Sequence, residues 1–258
     1  MKDMVAIRDR FAPAPRIDVI VRKEDVDGSR LEGRIAIVID ILFATTTIVT
    51  ALEAGATSVY FAVDQHEARQ IAATLPAGEF NIAGEDHLAA IPGFSSPLPL
   101  ELSRQPGFAG KPLVYSTTNG TVALRRSKGA AAIYAASLRN ASATLAHVAA
   151  HHGGMPLVIV CAGSAGRLNL EDFYGAGYFV EVLSRALDDA RDFSDTALAA
   201  RATFRSTGAW SALAASRVGR IVRGAGADEE IRHSSEIDAS SLVAIVDAST
   251  GDRVIRSQ

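Results

Sequence analysis

The stretch "RIAIVIDILFATTTIVTALEAGATSVYFA" (34–62) holds a complete strand–turn–helix–strand unit. Its opening run, Ile35 to Ile39, is apolar and largely β-branched, as a strand buried on both faces requires. The run stops at an acid, Asp40. Beyond Phe43 stand three threonines, Thr45 to Thr47, whose hydroxyls suit the entry to a helix. Gly55 closes that helix, and "SVYFA" (58–62) reads as the next strand. A buried strand that returns through a helix to another strand is the repeating unit of an α/β fold.

The pattern continues along the chain. Strands are expected at 17–21, 34–39, 58–62, 79–83, 112–116, 131–135, 157–161 and 242–248. Helices are expected at about 45–54, 65–74, 119–127, 138–151, 171–190, 194–203, 207–222 and 227–234. The expected fold is layered α/β/α with a mostly parallel or mixed sheet, built from strand–threonine-rich turn–helix units. Residues 1–16 read as an N-terminal arm and 17–258 as a single α/β domain, a span that also admits two lobes, about 17–110 and 111–258. Residues 84–110 carry four of the nine prolines and little periodicity, so they read as a long functional loop. "TTTIVTALEAGATSVYFA" (45–62) is echoed by "TTNGTVALRRSKGAAAIYAA" (117–136). Either duplication or the shared packing needs of such units accounts for the echo.

Composition excludes several function classes. Twenty-six basic and 29 acidic residues leave a net charge of −3, without the concentrated Lys/Arg patch that nucleic acid demands. A single cysteine forms no internal disulfide and suggests a reducing, cytoplasmic setting. No run approaches the roughly 20 apolar residues of a membrane span. The N-terminal "MKDMVAIRDRFAPAPRID" mixes charge and proline, unlike a secretory signal. The expected partner is a small-molecule substrate; alanine-rich helices leave room for a homodimer.

Three expected strands end in polar turns that lead into helices, the place where open α/β sheets bind ligands. The first ends at Asp40 and Thr45–Thr47. The second ends in "STTNGT" (116–121). The third is "VIVCAGSAGRLNLED" (158–172), with Cys161 at the strand end and Glu171-Asp172 opening a helix. Helix entries and close-approaching glycines such as Gly120, Gly163 and Gly166 suit a phosphate, sulfonate or carboxylate. Carboxylates beside such an anion call for a cation between them, so Asp40, Glu171 and Asp172 read as ligands of Mg2+. Each element also has a plain structural account: threonine caps, an acid favoured by the helix dipole, a small buried thiol. No phosphate-binding G-x-x-x-x-G-K-[ST] loop, G-x-S-x-G elbow or zinc motif is present.

At these residues the chain resembles the 2-phosphosulfolactate phosphatase family. The likeness rests on "VIDILFATTTIVTALEAGA", "GED…IPGF…SP", "YSTTNGTVAL", "ASLRNASA", "VIVCAGSAGRLNLEDFYGAGYFVE" and "VGRIVRGAGADEEIRHSSEID", in family order from about 35 to 240. The resemblance implies a Mg2+-dependent hydrolase that removes phosphate from a small sulfonated hydroxy acid of the coenzyme M pathway. It points to Asp40, Glu85, Asn119 and Cys161 as catalytic residues and to Asp40, Glu171 and Asp172 as metal ligands. Phe43, Thr45, Thr46, Ser96, Thr117, Thr118, Thr121, Gly163 and Ser164 complete the expected substrate-binding set.

The chain also departs from the family pattern. Phe43 and Asp86 stand where the family carries arginine, and the loop after "IPGF" is shortened to "GFSSP" (93–97). Arginine grips phosphate and sulfonate at two points, and such a contact contributes roughly 1.5–3 kcal/mol. Its double loss suggests a less anionic or partly apolar substrate, with Phe43 packing against it. Three readings therefore stand: the family phosphatase, a repurposed hydrolase or lyase on the same scaffold, and a catalytically silent binding or assembly protein.

Overall fold

The computed structural model describes residues 16–185 and 193–257. All but the last residue of the expected arm, and the end of the helix expected at 171–190, lie outside the described residues. The eight expected strands are all present: β1 (Ile17–Ile20), β2 (Ile35–Ile39), β3 (Val59–Ala62), β4 (Asn81–Asp86), β6 (Leu113–Ser116), β7 (Ala132–Ala136), β8 (Leu157–Cys161) and β9 (Ala244–Val246). Two short strands join them, β5 (Ala89–Ala90) and β10 (Arg253–Arg256). The helices are α1 (Ala44–Glu53), α2 (Gln65–Ala73), α3 (Pro99–Ser103), α4 (Gly120–Arg126), α5 (Ala141–His152), α6 (Leu170–Leu183), α7 (Asp195–Ser206), α8 (Ala209–Ala215), α9 (Arg217–Gly224) and α10 (Asp228–Ser234).

The strands form one mixed sheet in the order β1-β8-β2-β7-β9-β10-β3-β6-β4-β5. Two parallel blocks, β1-β8-β2-β7 and β3-β6-β4, are joined by the antiparallel β9–β10 hairpin. Strands from before and after residue 110 alternate in both blocks. β2 and β8 are buried at every position, which explains their uninterrupted apolar sequences. Ile39 pairs with both Ala136 and Cys161, so Asp40 and Gly163 emerge at one edge. In the other block Ser116 pairs with Ala62 and Gly84, placing Thr117 and Glu85 together.

Helix α1 is where the blocks meet. Every residue from Ala44 to Leu52 is buried, and the helix touches β2, β7, β9, β10 and β3, so the sheet curves around it. Threonine, valine and isoleucine are indifferent helix formers, and burial on all sides overrides that preference. The opposite face of the first block packs on α5, α6, α7 and α8. Helices thus cover both faces of the sheet, an α/β layered fold. No helix among the described residues is long and apolar enough to cross a membrane.

Two expectations need correction. The helix expected at 207–222 breaks at Ser216, whose extended backbone ends α8 and whose hydroxyl accepts from Gly219 N–H at 2.9 Å to start α9. Residues 84–110 are not one loop but contain β5 and α3. The N-terminal amides of α3, on Leu100 and Glu101, donate to Glu230 at 2.9 Å each. That cap lies on α10, far along the chain; the local signals are Pro99 at the first position and Glu101 in the first turn. The last strand, β10, completes a hairpin with β9.

Candidate active site

Asp40 sits immediately beyond β2, in a turn that the threonines build. Thr45 Oγ1 accepts from Asp40 N–H at 2.8 Å and donates to Asp40 O at 3.0 Å. Thr46 donates to Ile41 O at 2.9 Å, and Thr47 to Pro97 O at 2.8 Å. All three side chains are buried. Thr45 and Thr46, expected at the substrate, give their hydroxyl protons to carbonyls of this turn and so set its shape. Phe43 stands at the N-cap of α1 and packs, half-buried, against the core.

Asp172 fastens this turn to the next. Its carboxylate accepts from Ile41 N–H at 2.9 Å and from Gly163 N–H at 3.0 Å. Gly163 has φ +59°, and a Cβ there would lie 2.6 Å from Arg167 O, so only glycine fits. With one oxygen on each amide, Asp172 holds the β2 and β8 turns in register. Among the described residues no three His, Cys, Asp or Glu side chains converge as a ready-made metal cage.

Its neighbour Glu171 is the opposite case. The side chain is 1% exposed, yet neither carboxylate oxygen has a hydrogen-bond partner. Arg217 donates to Ser164 Oγ, and Ser216, whose hydroxyl accepts from Gly219 N–H, keeps its own proton and stands nearby without closing a hydrogen bond on the carboxylate. Burial raises Glu171 above the usual carboxylate range, opposed by its own backbone N–H, then by Ser216 and the Arg217 charge. Asp40 is also buried; desolvation, then the charges of Glu171 and Glu85, push it up to about 7. Asp172 is raised further by burial, Asp40 and Glu171. A cluster of acids held this close is stable when protons or a cation neutralise it.

The second block contributes the "STTNGT" turn. Thr121 Oγ1 donates to Thr117 O at 2.7 Å and closes the turn on itself, so Thr117 and Thr121 are also structural. Thr118 donates to Glu85 Oε1 through N–H at 2.7 Å and through its hydroxyl at 2.6 Å; Leu88 N–H reaches Glu85 Oε2 at 2.6 Å. Glu85, expected as a base, is thus already engaged at both oxygens and positions Thr118. Gly120 brings this turn against the first: a Cβ there would lie 2.8 Å from Asp40 Oδ2 and 2.4 Å from Ala44 Cβ. Glycine is what lets the two turns meet.

Cys161 is 0% exposed within the core, and burial with Asp172 and Glu171 nearby pushes its thiol well above the usual range. Burial of this kind favours the neutral thiol over the thiolate. Ser164 is held by Asn169 Oδ1 at 3.0 Å and by Arg217. Ser96 donates to Glu101 at 2.8 Å on the rim loop and does not join the acids. Asp86 faces outward, paired with His87 at 2.7 Å.

Two cations escaped the sequence reading. Lys23, just after β1, is buried and donates to Asn119 Oδ1 at 2.9 Å. Arg217 opens α9 beside Ser164. Neither lies in a recognisable motif, and both come from segments read as packing.

Comparison with known proteins meets this geometry at the same residues. The 2-phosphosulpholactate phosphatase family matches residues 20–249. The chain belongs to that family. Its members are phosphatases, hydrolases of phosphoric monoesters, and the chain is an enzyme of that class. It is 40% identical over 178 residues to a "Probable 2-phosphosulfolactate phosphatase" of Symbiobacterium thermophilum, covering 68% of this chain and 74% of the relative. Similar proteins of the same name occur in Deinococcus radiodurans, 35% identical over 81% of this chain and 86% of the relative, and in Clostridium perfringens, 32% identical over 88% and 92%. The family match spans all three polar turns and the Lys23 and Arg217 segments.

Proposed function

We propose that the protein hydrolyses the phosphate ester of a small anionic hydroxy acid, with 2-phosphosulfolactate, the compound in its relatives' names, as the leading substrate. The reading is carried by Glu171, a buried carboxylate with two unpartnered oxygens beside a second buried acid, Asp40. Two unpartnered carboxylate oxygens beside a second buried acid fit a hard divalent cation, and Asp40 and Glu171 are the residues that would hold Mg2+. Asp172, spent on two backbone amides, supports the site from behind. When bound, Mg2+ supplies the positive charge that offsets the phosphoryl oxygens and favours ionisation of water.

The remaining roles follow from the chain itself. Buried Asp40, Glu171 and Asp172 make a site of low polarisability, where charge interactions are strong. Glu85 fixes Thr118 at the rim, and Gly120 keeps the second turn tight against Asp40. Overall, water adds at phosphorus and the ester P–O bond breaks, giving inorganic phosphate and the free hydroxy acid.

The loss of two family arginines argued for a less anionic substrate. Lys23 and Arg217 weaken that argument, because positive charge stands at the site from other positions. The decisive experiment measures phosphate release from 2-phosphosulfolactate by the whole protein. Turnover should stop on chelation with EDTA and return with excess Mg2+. Absence of turnover at any Mg2+ concentration overturns the reading.

A further inference from the structure

Lys23 is fixed by its backbone before its side chain does anything. Its N–H donates to Ala162 O at 3.0 Å, at the end of β8, and its carbonyl accepts from Arg126 at 3.2 Å. The side chain, 9% exposed, reaches across to the second polar turn, where Nζ meets Asn119 Oδ1 at 2.9 Å; Glu24 Oε1 lies at 2.9 Å on the other side. An ammonium carries three N–H donors. Among the described residues two acceptors meet it, so one donor is left over.

The bond to Asn119 has a second consequence. Lysine can only donate, so the carboxamide must turn its oxygen toward Nζ and its NH2 the other way. Among the described residues nothing accepts from that NH2. Asn119 precedes Gly120, whose α-carbon abuts Asp40, so these spare donors stand at the edge of the acid pair. A lysine buried to this degree for packing alone would be costly, since Glu24, its one charged partner, is 35% exposed. A buried cation with a spare donor, beside an amide with two more, is a seat for an oxyanion.

We infer that Lys23, with the Asn119 carboxamide it orients, binds the acid group of the substrate that is not transferred, a carboxylate or sulfonate, and so sets the preference for phosphate esters that carry one. This rests on the phosphatase reading above and adds the residue that selects the substrate. It also accounts for a family member that carries Phe43 and Asp86 in place of arginine: the grip comes from the turn after β1 instead.

The test compares two phosphate esters of secondary alcohols, 2-phosphosulfolactate and glycerol 2-phosphate, in which a hydroxymethyl group replaces the carboxylate and a hydroxyl the sulfonate. Lys23→Met should lower the ratio of kcat/KM between them by about 30-fold, chiefly through KM for the acid-bearing ester. Lys23→Arg should restore part of the ratio. Asn119→Ala should lower it as well, and serves if Lys23→Met fails to fold. An equal loss on both esters in these variants overturns the inference. A second arm titrates phosphate-free sulfolactate into the protein by calorimetry, where Lys23→Met should bind at least about 10-fold more weakly. If the wild type hydrolyses neither ester but binds sulfolactate through Lys23, the phosphatase reading fails and the acid-group seat stands. Sulfolactate binding that is indifferent to Lys23→Met overturns the seat.

Discussion

Helix α6 carries two buried glutamates with opposite fates. Near its end, Glu181 accepts from Arg201 Nε at 2.9 Å and from Arg205 at 2.7 and 3.2 Å, with Arg185 at 3.8 Å. Arg205 and then Arg201 hold its carboxyl down at about 2, against the opposing effect of burial. In the first turn, Glu171 is more deeply buried, lacks any hydrogen bond and is shifted upward. One residue type on one helix is thus ionised and satisfied at one end, strained and unsatisfied at the other. The satisfied glutamate pins α7 to α6. The unsatisfied one contributes nothing to packing that glutamine would not, so its charge serves no packing role.

Glutamine at each position should break the comparison most sharply. Glu171→Gln should cut phosphatase kcat by about 10³-fold or more through loss of a metal ligand. It should leave thermal stability unchanged or raise it, because a neutral amide costs less to bury than an unpaired carboxylate. Glu181→Gln should do the reverse: activity within a few-fold of wild type, and a stability loss of about 2–3 kcal/mol from three arginines left facing one another. Steady-state kinetics with thermal or denaturant unfolding measures both. A Glu171→Gln protein that is fully active would remove the distinction altogether.

The cation itself gives the next largest effect. Mg2+ at about 100 times its dissociation constant should raise wild-type stability by roughly 2.7 kcal/mol, since only the folded chain presents the site. In Glu171→Gln this gain should vanish, while Glu181→Gln should keep it in full. A thermal shift that survives Glu171→Gln would place the ion elsewhere. Gly120→Ala tests how tightly the second turn must approach: its Cβ would overlap Ala44 and crowd Asp40. A drop of about 10- to 100-fold in kcat/KM is expected, because small displacements of a positioned group are costly.

The contrast also shows what could be read before the structure was seen. β2, β8 and the α1 unit were legible because an unbroken apolar β-branched run has one good home, a strand covered on both faces. The three polar turns were legible because each ends such a strand. What could not be read was the use of each hydroxyl and acid. Thr45 and Asp172 look like ligands in sequence, yet both are occupied by backbone groups supplied through folding. Helix α3 was missed because its cap, Glu230, lies on another helix. Lys23 and Arg217 were missed because a lone basic residue carries no pattern; only the folded chain places them beside Asn119 and Ser164.

A smaller effect extends the comparison to a buried base. His233 lies between Thr50 Oγ1, at 2.8 Å, and the Arg139 guanidinium, at 3.2 Å, with Glu236 and Glu53 also bound by Arg139. Burial and then the Arg139 charge lower it to about 4 from 6.5; Glu236 and Glu53 oppose the fall and Arg104 adds to it. The unfolded chain therefore takes up this proton between pH 6.5 and 4, while the folded chain does not. Stability due to neutral His233 is complete above pH 6.5 and is lost as pH falls toward 4. Glu181 adds its own loss below 4.5, toward 2. Asp40 runs the other way in the metal-free protein: raised to about 7, it gains a proton on the folded side first, so acid favours folding between about 7 and 3.8. The two trends overlap, and a single unfolding curve would show their difference. Replacing the base separates them: the free-energy gap between His233→Gln and wild type should shift by on the order of 1–2 kcal/mol from pH 7 to pH 4.5, in favour of the variant. A gap that stays constant across that range would mean that His233 takes up its proton as readily in the fold as in the unfolded chain.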